Sequence, residues 1–98
     1  MSARLPDGSE CYKRTPSFTE ATVPKALLNN HSTRQGTWGL LCVEQGALRY
    51  VVTDSRRPLS ETVLTPTTTA VIEPTIVHRV EPIGTTQFHI EFYRQSAN

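Results

Sequence analysis

The sequence predicts an all-β fold, a small sandwich or barrel, on three observations. Seven prolines are scattered through the 98 residues, and no stretch keeps a 3.6-residue apolar period for three turns, so helix signals are nearly absent. Valine, isoleucine, threonine and aromatic residues instead come in short runs, the composition that suits half-buried pleated strands. Gly, Pro, Asp and Ser break these runs at roughly eight- to twelve-residue intervals, the spacing of an all-β sandwich or barrel.

Taken in order, residues 1–10 read as a flexible N-terminal tail and residues 11–98 as a single domain. Glu10–Thr15 is expected as an edge strand, because Pro16 lacks the N–H that a ladder requires. Val23–Asn30 is a second strand candidate, with Pro24 again fitting an edge. Thr37–Glu44 and Ala47–Thr53 flank Gln45-Gly46, which supplies the glycine a hairpin turn favours. Asp54–Pro58 is a polar turn whose Arg56-Arg57 pair reads as solubility charge. Glu61–Thr65, Ala70–Glu73, Ile76–Glu81 and Thr86–Arg94 follow as strands, separated by Pro66, Pro74 and a Pro82–Gly84 turn. Period-two alternation places Ile76, His78 and Val80 on one apolar face. In the last strand, Phe88, Ile90 and Phe92 alternate with His89, Glu91 and Tyr93, which directs His89 and Glu91 outward.

Composition excludes several classes of partner. Ten Lys+Arg against nine Asp+Glu give a net charge of +1, with no basic excess to displace counterions from a phosphate backbone. No apolar run reaches the roughly 20 residues of a membrane-spanning helix. The N-terminal MSARLPDGSE lacks the apolar core of a signal peptide, so a cytoplasmic location is expected, without nucleic-acid or membrane partners. Cys11 and Cys42 form no CxxC pair and are expected as free thiols in a reducing compartment. No nucleophile elbow and no glycine-rich phosphate loop is present.

Two segments carry the chemistry that remains. HSTRQGTWGLL (31–41) and IEPTIVHRVEP (72–82) each hold one histidine beside turn residues, and the intervening strands can bring both imidazoles into one pocket. A neutral imidazole among apolar neighbours is a good metal ligand, because one ring nitrogen is fixed by a hydrogen bond and the other offers its lone pair. With a carboxylate, two such histidines make the set used by Fe(II) sites, and the set also suits zinc. His31 and His78 are thus the candidate metal ligands, with a divalent metal, zinc or iron, as cofactor.

These segments resemble the cupin motifs. Counted from His31 with the longer spacing, the first motif, G-x5-H-x-H-x3,4-E-x6-G, ends at Gln45, one residue before Gly46, and His78 after Pro74 matches the histidine of the second. Thr33 stands where the second histidine of the first motif belongs, and Trp38 where its glutamate belongs, so two of the four usual ligands remain. CYKRTPSF (11–18), HSTRQGTWGLL (31–41), EQGALRY (44–50), IEPTIVHRVEP (72–82) and FYR (92–94) resemble, in order and spacing, the small TehB/YeaR-like cupin domain. That resemblance implies a cupin-type double-stranded β-helix (jelly-roll barrel) and a metal site at His31 and His78, with Glu91, before the aromatic pair, as the favoured third ligand and His89 and Glu44 behind it. It also implies a link to tellurite or oxyanion stress, a small molecule or anion as ligand, and a homodimer. In TehB the methyltransferase part is a separate domain, and the chain ends at Asn98 without one, so methyl transfer is not expected. A metal-dependent oxygenase or isomerase and a metal-free interaction module stand as alternatives.

Overall fold

The computed structural model describes residues 4–95. Residues 1–3 and 96–98, the ends of the expected tail and domain, lie outside the described residues. Two long strands dominate: β3, Trp38–Val52, and β6, His78–Gln95, paired antiparallel from Trp38 with Tyr93 to Val52 with His78. β1, Ser9–Arg14, and the two-residue β2, Phe18–Thr19, pair with the second half of β6. β4, Ser60–Leu64, pairs with the second half of β3, and β5, Thr69–Ile72, with its first half. The result is one six-stranded antiparallel sheet with the path β1-β6-β3-β4. The sheet is not closed into a barrel.

The structure corrects several local expectations. Gln45-Gly46 does not reverse the chain; β3 passes straight through it, and the ladder to β6 shifts register on both sides of Gln45. A hairpin there would pair the two halves of β3 with each other, whereas each half pairs with β6 on one side and with β4 or β5 on the other. Pro82–Gly84 likewise lies inside β6. The backbone N–H and C=O of His78 both bond to His31, away from β3. By strand parity Pro82 also points its nitrogen to that open edge, so no ladder bond is lost. Val23–Asn30 is not a strand: Lys25–Leu28 forms a single helical turn, α1, after Pro24. The edge strand expected from Glu10 begins one residue earlier: Ser9, expected in the tail, pairs with Gln95, and Glu10 with Arg94.

The core lies on one face of the bent sheet, where Leu41, Val43, Leu48, Tyr50, Leu64, Ile72, Val80, Phe88 and Ile90 cluster. Phe18, Val23 and Leu27 pack over it from β2 and the α1 region. The bend is tied at Thr86, which is buried. Its hydroxyl donates within reach of the carbonyls of Ala47, Ile83 and Gly84, and its N–H donates to the carboxylate of Glu20 at 2.9 Å. That backbone hydrogen bond lowers the carboxyl of Glu20 below its ordinary value.

The end of β3 is held by Asp54, whose side chain is almost fully buried. Its carboxylate accepts from the backbone N–H of Arg56 and of Val77, at 2.8 Å each, and from the Arg56 guanidinium. Arg56 also donates to the carbonyl of Thr75 at 2.7 Å, a residue held at φ 64. Arg57 pairs with Glu73 at 2.8 Å. The two arginines are therefore structural clamps, not solubility charge. The Arg56 guanidinium, followed by the two backbone donors, holds the Asp54 carboxyl well below the usual carboxylate range. A depressed carboxyl stabilises the fold fully above its unfolded pKa of about 3.9, and the contribution is lost as pH falls through the folded value. Asp54→Asn is expected to lower the thermal midpoint at pH 7 by about 5 °C and to flatten the loss of stability below pH ~4. Thermal melts of both proteins from pH 2 to 7 check this, and parallel acid limbs would refute it.

Candidate functional site

His31 and His78 meet at the open edge of β6, where they form a β-bridge with two reciprocal backbone hydrogen bonds of 2.9 Å. The bridge sets their rings edge-to-face, with centroids 4.2 Å apart and planes at 61°. The same local device orients each ring. Nδ1 of His31 lies 2.9 Å from the carbonyl of Asn29, and Nδ1 of His78 lies 2.9 Å from the carbonyl of Ile76, two residues upstream in both cases. Donation from Nδ1 to a carbonyl fixes the tautomer with the lone pair on Nε2. Neither Nε2 has a hydrogen-bond partner among the described residues.

His78 is buried, with only 1% of its surface exposed, against the ring of Tyr50 at 5.6 Å. Burial pushes its pKa down to about 4; the hydrogen bond to Ile76 acts in the opposite sense, and the neighbouring His31 adds to the depression. At neutral pH the ring is uncharged, the form that coordinates a metal. Both histidines line a cleft of about 410 Å³. Its floor is apolar, from Leu27, Ile72, Ile90 and Phe92, and its rim carries Lys13, Arg34 and the hydroxyls of Tyr12, Ser32, Thr33 and Thr37. No carboxylate is among the described lining residues.

The third expected ligand is elsewhere. Ile90 and Phe92 face the cleft, so strand alternation turns Glu91 to the opposite face of β6. There its carboxylate meets Nε2 of His89 at 3.1 Å and accepts from the Tyr93 hydroxyl at 2.8 Å. Nδ1 of His89 is hydrogen-bonded to Glu44, which also accepts from Ser17 and Gln87. His89 hydrogen bonds are the largest cause that lowers the carboxyls of both Glu44 and Glu91, and the Glu91 carboxylate raises the Tyr93 phenol to about 12. Glu91, His89 and Glu44 thus form one group among themselves, on the face the alternation assigned to His89 and Glu91. His89 is nevertheless buried there, with 7% exposure, because the neighbouring side chains cover it. Sequence reasoning missed Lys13 and Arg34 as cleft residues. One sits on β1 and the other in the loop before β3, and no sequence pattern links them.

The residues fit a divalent metal in part: two imidazoles turn Nε2 toward a cleft, and no carboxylate of the described residues completes the set. Fold and cleft together define a class, a small antiparallel β domain with a histidine pair at the edge of an apolar, cation-rimmed cleft. The chain belongs to the TehB-like domain family, whose model matches residues 13–90. Its curated relatives include two proteins from strains of Haemophilus influenzae, each described as probable S-adenosyl-L-methionine-dependent methyltransferase TehB. They are 36% and 35% identical over 76 residues, which is 76% of this chain and 27% of each relative. The chain therefore spans little more than a quarter of their length. The crystal structure of TehB from Haemophilus influenzae superposes with a TM-score of 0.82 at 29% identity, covering 91% of this chain and 32% of that one. A crystal structure of a protein from E. coli (strain K12) gives a TM-score of 0.85 at 22% identity, covering 97% and 99% of the two chains, a likeness of fold alone. Among the described residues, no helix is long and apolar enough to cross a membrane.

Proposed function

We propose that this chain is a small cupin-like module that binds a divalent metal, zinc or iron, through Nε2 of His31 and His78. A small anion or anionic metabolite completes the shell from the cleft. The observation that carries this reading is the pair of Nδ1 hydrogen bonds to the carbonyls of Asn29 and Ile76, which leaves both Nε2 lone pairs free for an ion. A metal with two neutral ligands keeps its full positive charge, and Lys13 and Arg34 add to it. An anion is then the favoured guest, by attraction in a cleft with low-dielectric walls. The ion would supply Lewis acidity and an anchoring charge. The residues around it would orient the guest, with Tyr12, Ser32, Thr33 and Thr37 offering hydroxyls and the apolar floor excluding water. Such a module suits a binding role in oxyanion stress in the cytoplasm.

A homodimer through β1 accompanies this reading, because β1 is an outer strand of the sheet path and its residues are largely exposed. The expected result is that tag-free, metal-stripped protein takes up one equivalent of Zn(II) in the cleft, and that His31→Ala/His78→Ala takes up none there while keeping its β-sheet circular dichroism. Lys13→Gln/Arg34→Gln is expected to keep the metal and to weaken binding of tellurite or phosphate to the loaded protein about tenfold. Equal zinc uptake by wild type and the double histidine variant, measured by calorimetry, would refute the proposal.

A further inference from the structure

The face of the sheet opposite the cleft carries a second set of donors. Cys42 of β3 and His89 of β6 are direct cross-strand partners, and Leu40 and Glu91 are the next pair but one along the same ladder. Cross-strand pairing therefore stacks a thiol, an imidazole and a carboxylate on one face. Their ligand atoms all lie within 4.8 Å of one another. A tetrahedral zinc ion, with bonds of about 2.0–2.3 Å, holds its ligands roughly 3.3–3.7 Å apart. Small side-chain rotations are enough to close this set on an ion.

We propose that Cys42, His89 and Glu91 form a second metal site, of thiolate–imidazole–carboxylate type, suited to zinc and separate from the histidine pair of the cleft. The surroundings are those of a metal site as well as its ligands. Nδ1 of His89 is held by Glu44, which is itself fixed by Ser17 and Gln87, so Nε2 is the nitrogen that faces Glu91. A carboxylate behind a ligating histidine fixes the ring and raises its basicity. Tyr93 holds the second oxygen of Glu91. Arg14 stands on the Nδ1 side of the ring, 3.5 Å from that nitrogen and 3.8 Å from Glu44, so its charge is directed at the outer partner. On binding, the Cys42 thiol releases its proton to solvent and its sulfur bonds the ion. The hydrogen bond from Nε2 of His89 to Glu91 breaks, the Nε2 proton also leaves to solvent, and Nε2 and the Glu91 carboxylate each bond the metal. The fourth position is open to water.

Cobalt(II) reports on this site, because thiolate ligation gives a near-ultraviolet charge-transfer absorption that imidazole and carboxylate alone do not. The titration uses metal-free, tag-free full chain carrying Cys11→Ser, since Cys11 is the other free thiol and is exposed. The expected result is a thiolate-to-cobalt band that saturates at one equivalent and persists when His31→Ala and His78→Ala are added. Cys42→Ser is expected to abolish the band. Glu44→Gln is expected to keep it and to weaken cobalt binding about tenfold to a hundredfold, the usual effect of an outer carboxylate. Circular dichroism verifies the fold of each variant, and Cys42→Ala serves as a second variant where serine perturbs it. The proposal is overturned by the absence of a charge-transfer band, by a band that survives loss of Cys42, or by a band that vanishes with His31 and His78. Failure of zinc uptake in the cleft alone overturns the cleft reading only, because the two sets of variants share no residue.

Discussion

Gly46→Ala is expected to destabilise the domain by about 3–5 kcal/mol. Gly46 sits where the ladder between β3 and β6 shifts register, with φ of 80°, a conformation that costs an L-residue about 1–2 kcal/mol. A Cβ there would overlap the carbonyl oxygen of Thr85 and lie 3.1 Å from the Cα of Thr86. Both neighbours are backbone, so no rotamer change relieves the contact. β6 would have to move away from β3 at the point where Thr86 bonds back to the carbonyl of Ala47. A small domain has on the order of 5–15 kcal/mol in all, so the variant approaches the limit of folding. Gly84 provides the comparison: its φ is 64° but nothing lies within 4 Å of an added Cβ. Gly84→Ala is therefore expected to cost the conformational part alone, about 1–2 kcal/mol. Urea unfolding of the three proteins measures both values, and equal losses at the two glycines would refute the close-approach explanation.

Phe88→Ala is expected to cost about 3–5 kcal/mol. Phe88 is fully buried at the centre of the core, opposite Val43 on one side and Phe18 on the other. Its ring meets Phe18 edge-on, with centroids 5.7 Å apart and planes at 61°. Truncation removes apolar surface and leaves a cavity bounded by sheet backbone, which relaxes little. It also loosens β2, two residues long and held mainly by this contact and its pairing with Phe88 and Gln87. Ser17 precedes β2 and bonds Glu44, so the effect reaches the outer face behind His89. Phe18→Ala, at a half-buried position, is expected to cost about half as much, since less apolar surface is lost. Denaturant unfolding checks the order, and amide exchange at Thr19 and Gln87 checks the loosening of β2. Unchanged exchange in Phe88→Ala would show that β2 is held by other contacts.

Strand chemistry was legible where side-chain alternation alone decides it. The β4 and β5 segments lie within a residue of their expected bounds, because Pro66 and Pro74 end them locally. The faces of Phe88–Tyr93 follow from period two, and the outward direction assigned to Glu91 is the one it takes. Turns were less legible. Gln45-Gly46 and Pro82–Gly84 have hairpin composition, yet each lies inside a long strand, because a glycine at positive φ serves a bulge as well as a turn. α1 escaped detection because four residues are too few to show a helical period. Arg57 looked solvated because its partner Glu73 is far away in sequence, and the tie from Arg56 to Thr75 is equally distant, although its partner Asp54 is only two residues away.

The sequence by itself determined the all-β character, the two histidine segments and the TehB-like family, since these rest on residue type, period and spacing along one stretch of chain. Only the tertiary structure decided that the sheet stays open and that His31 bridges to His78. The same structure draws Glu91, His89 and Glu44 to Cys42 and not to the cleft. Each of these depends on register between strands many residues apart, and register is set by the long pairing of β3 with β6 and its bulges at Gln45 and Gly84. A single residue of slip would exchange the two faces, so which donors share a site is a property of the paired sheet and of no segment alone.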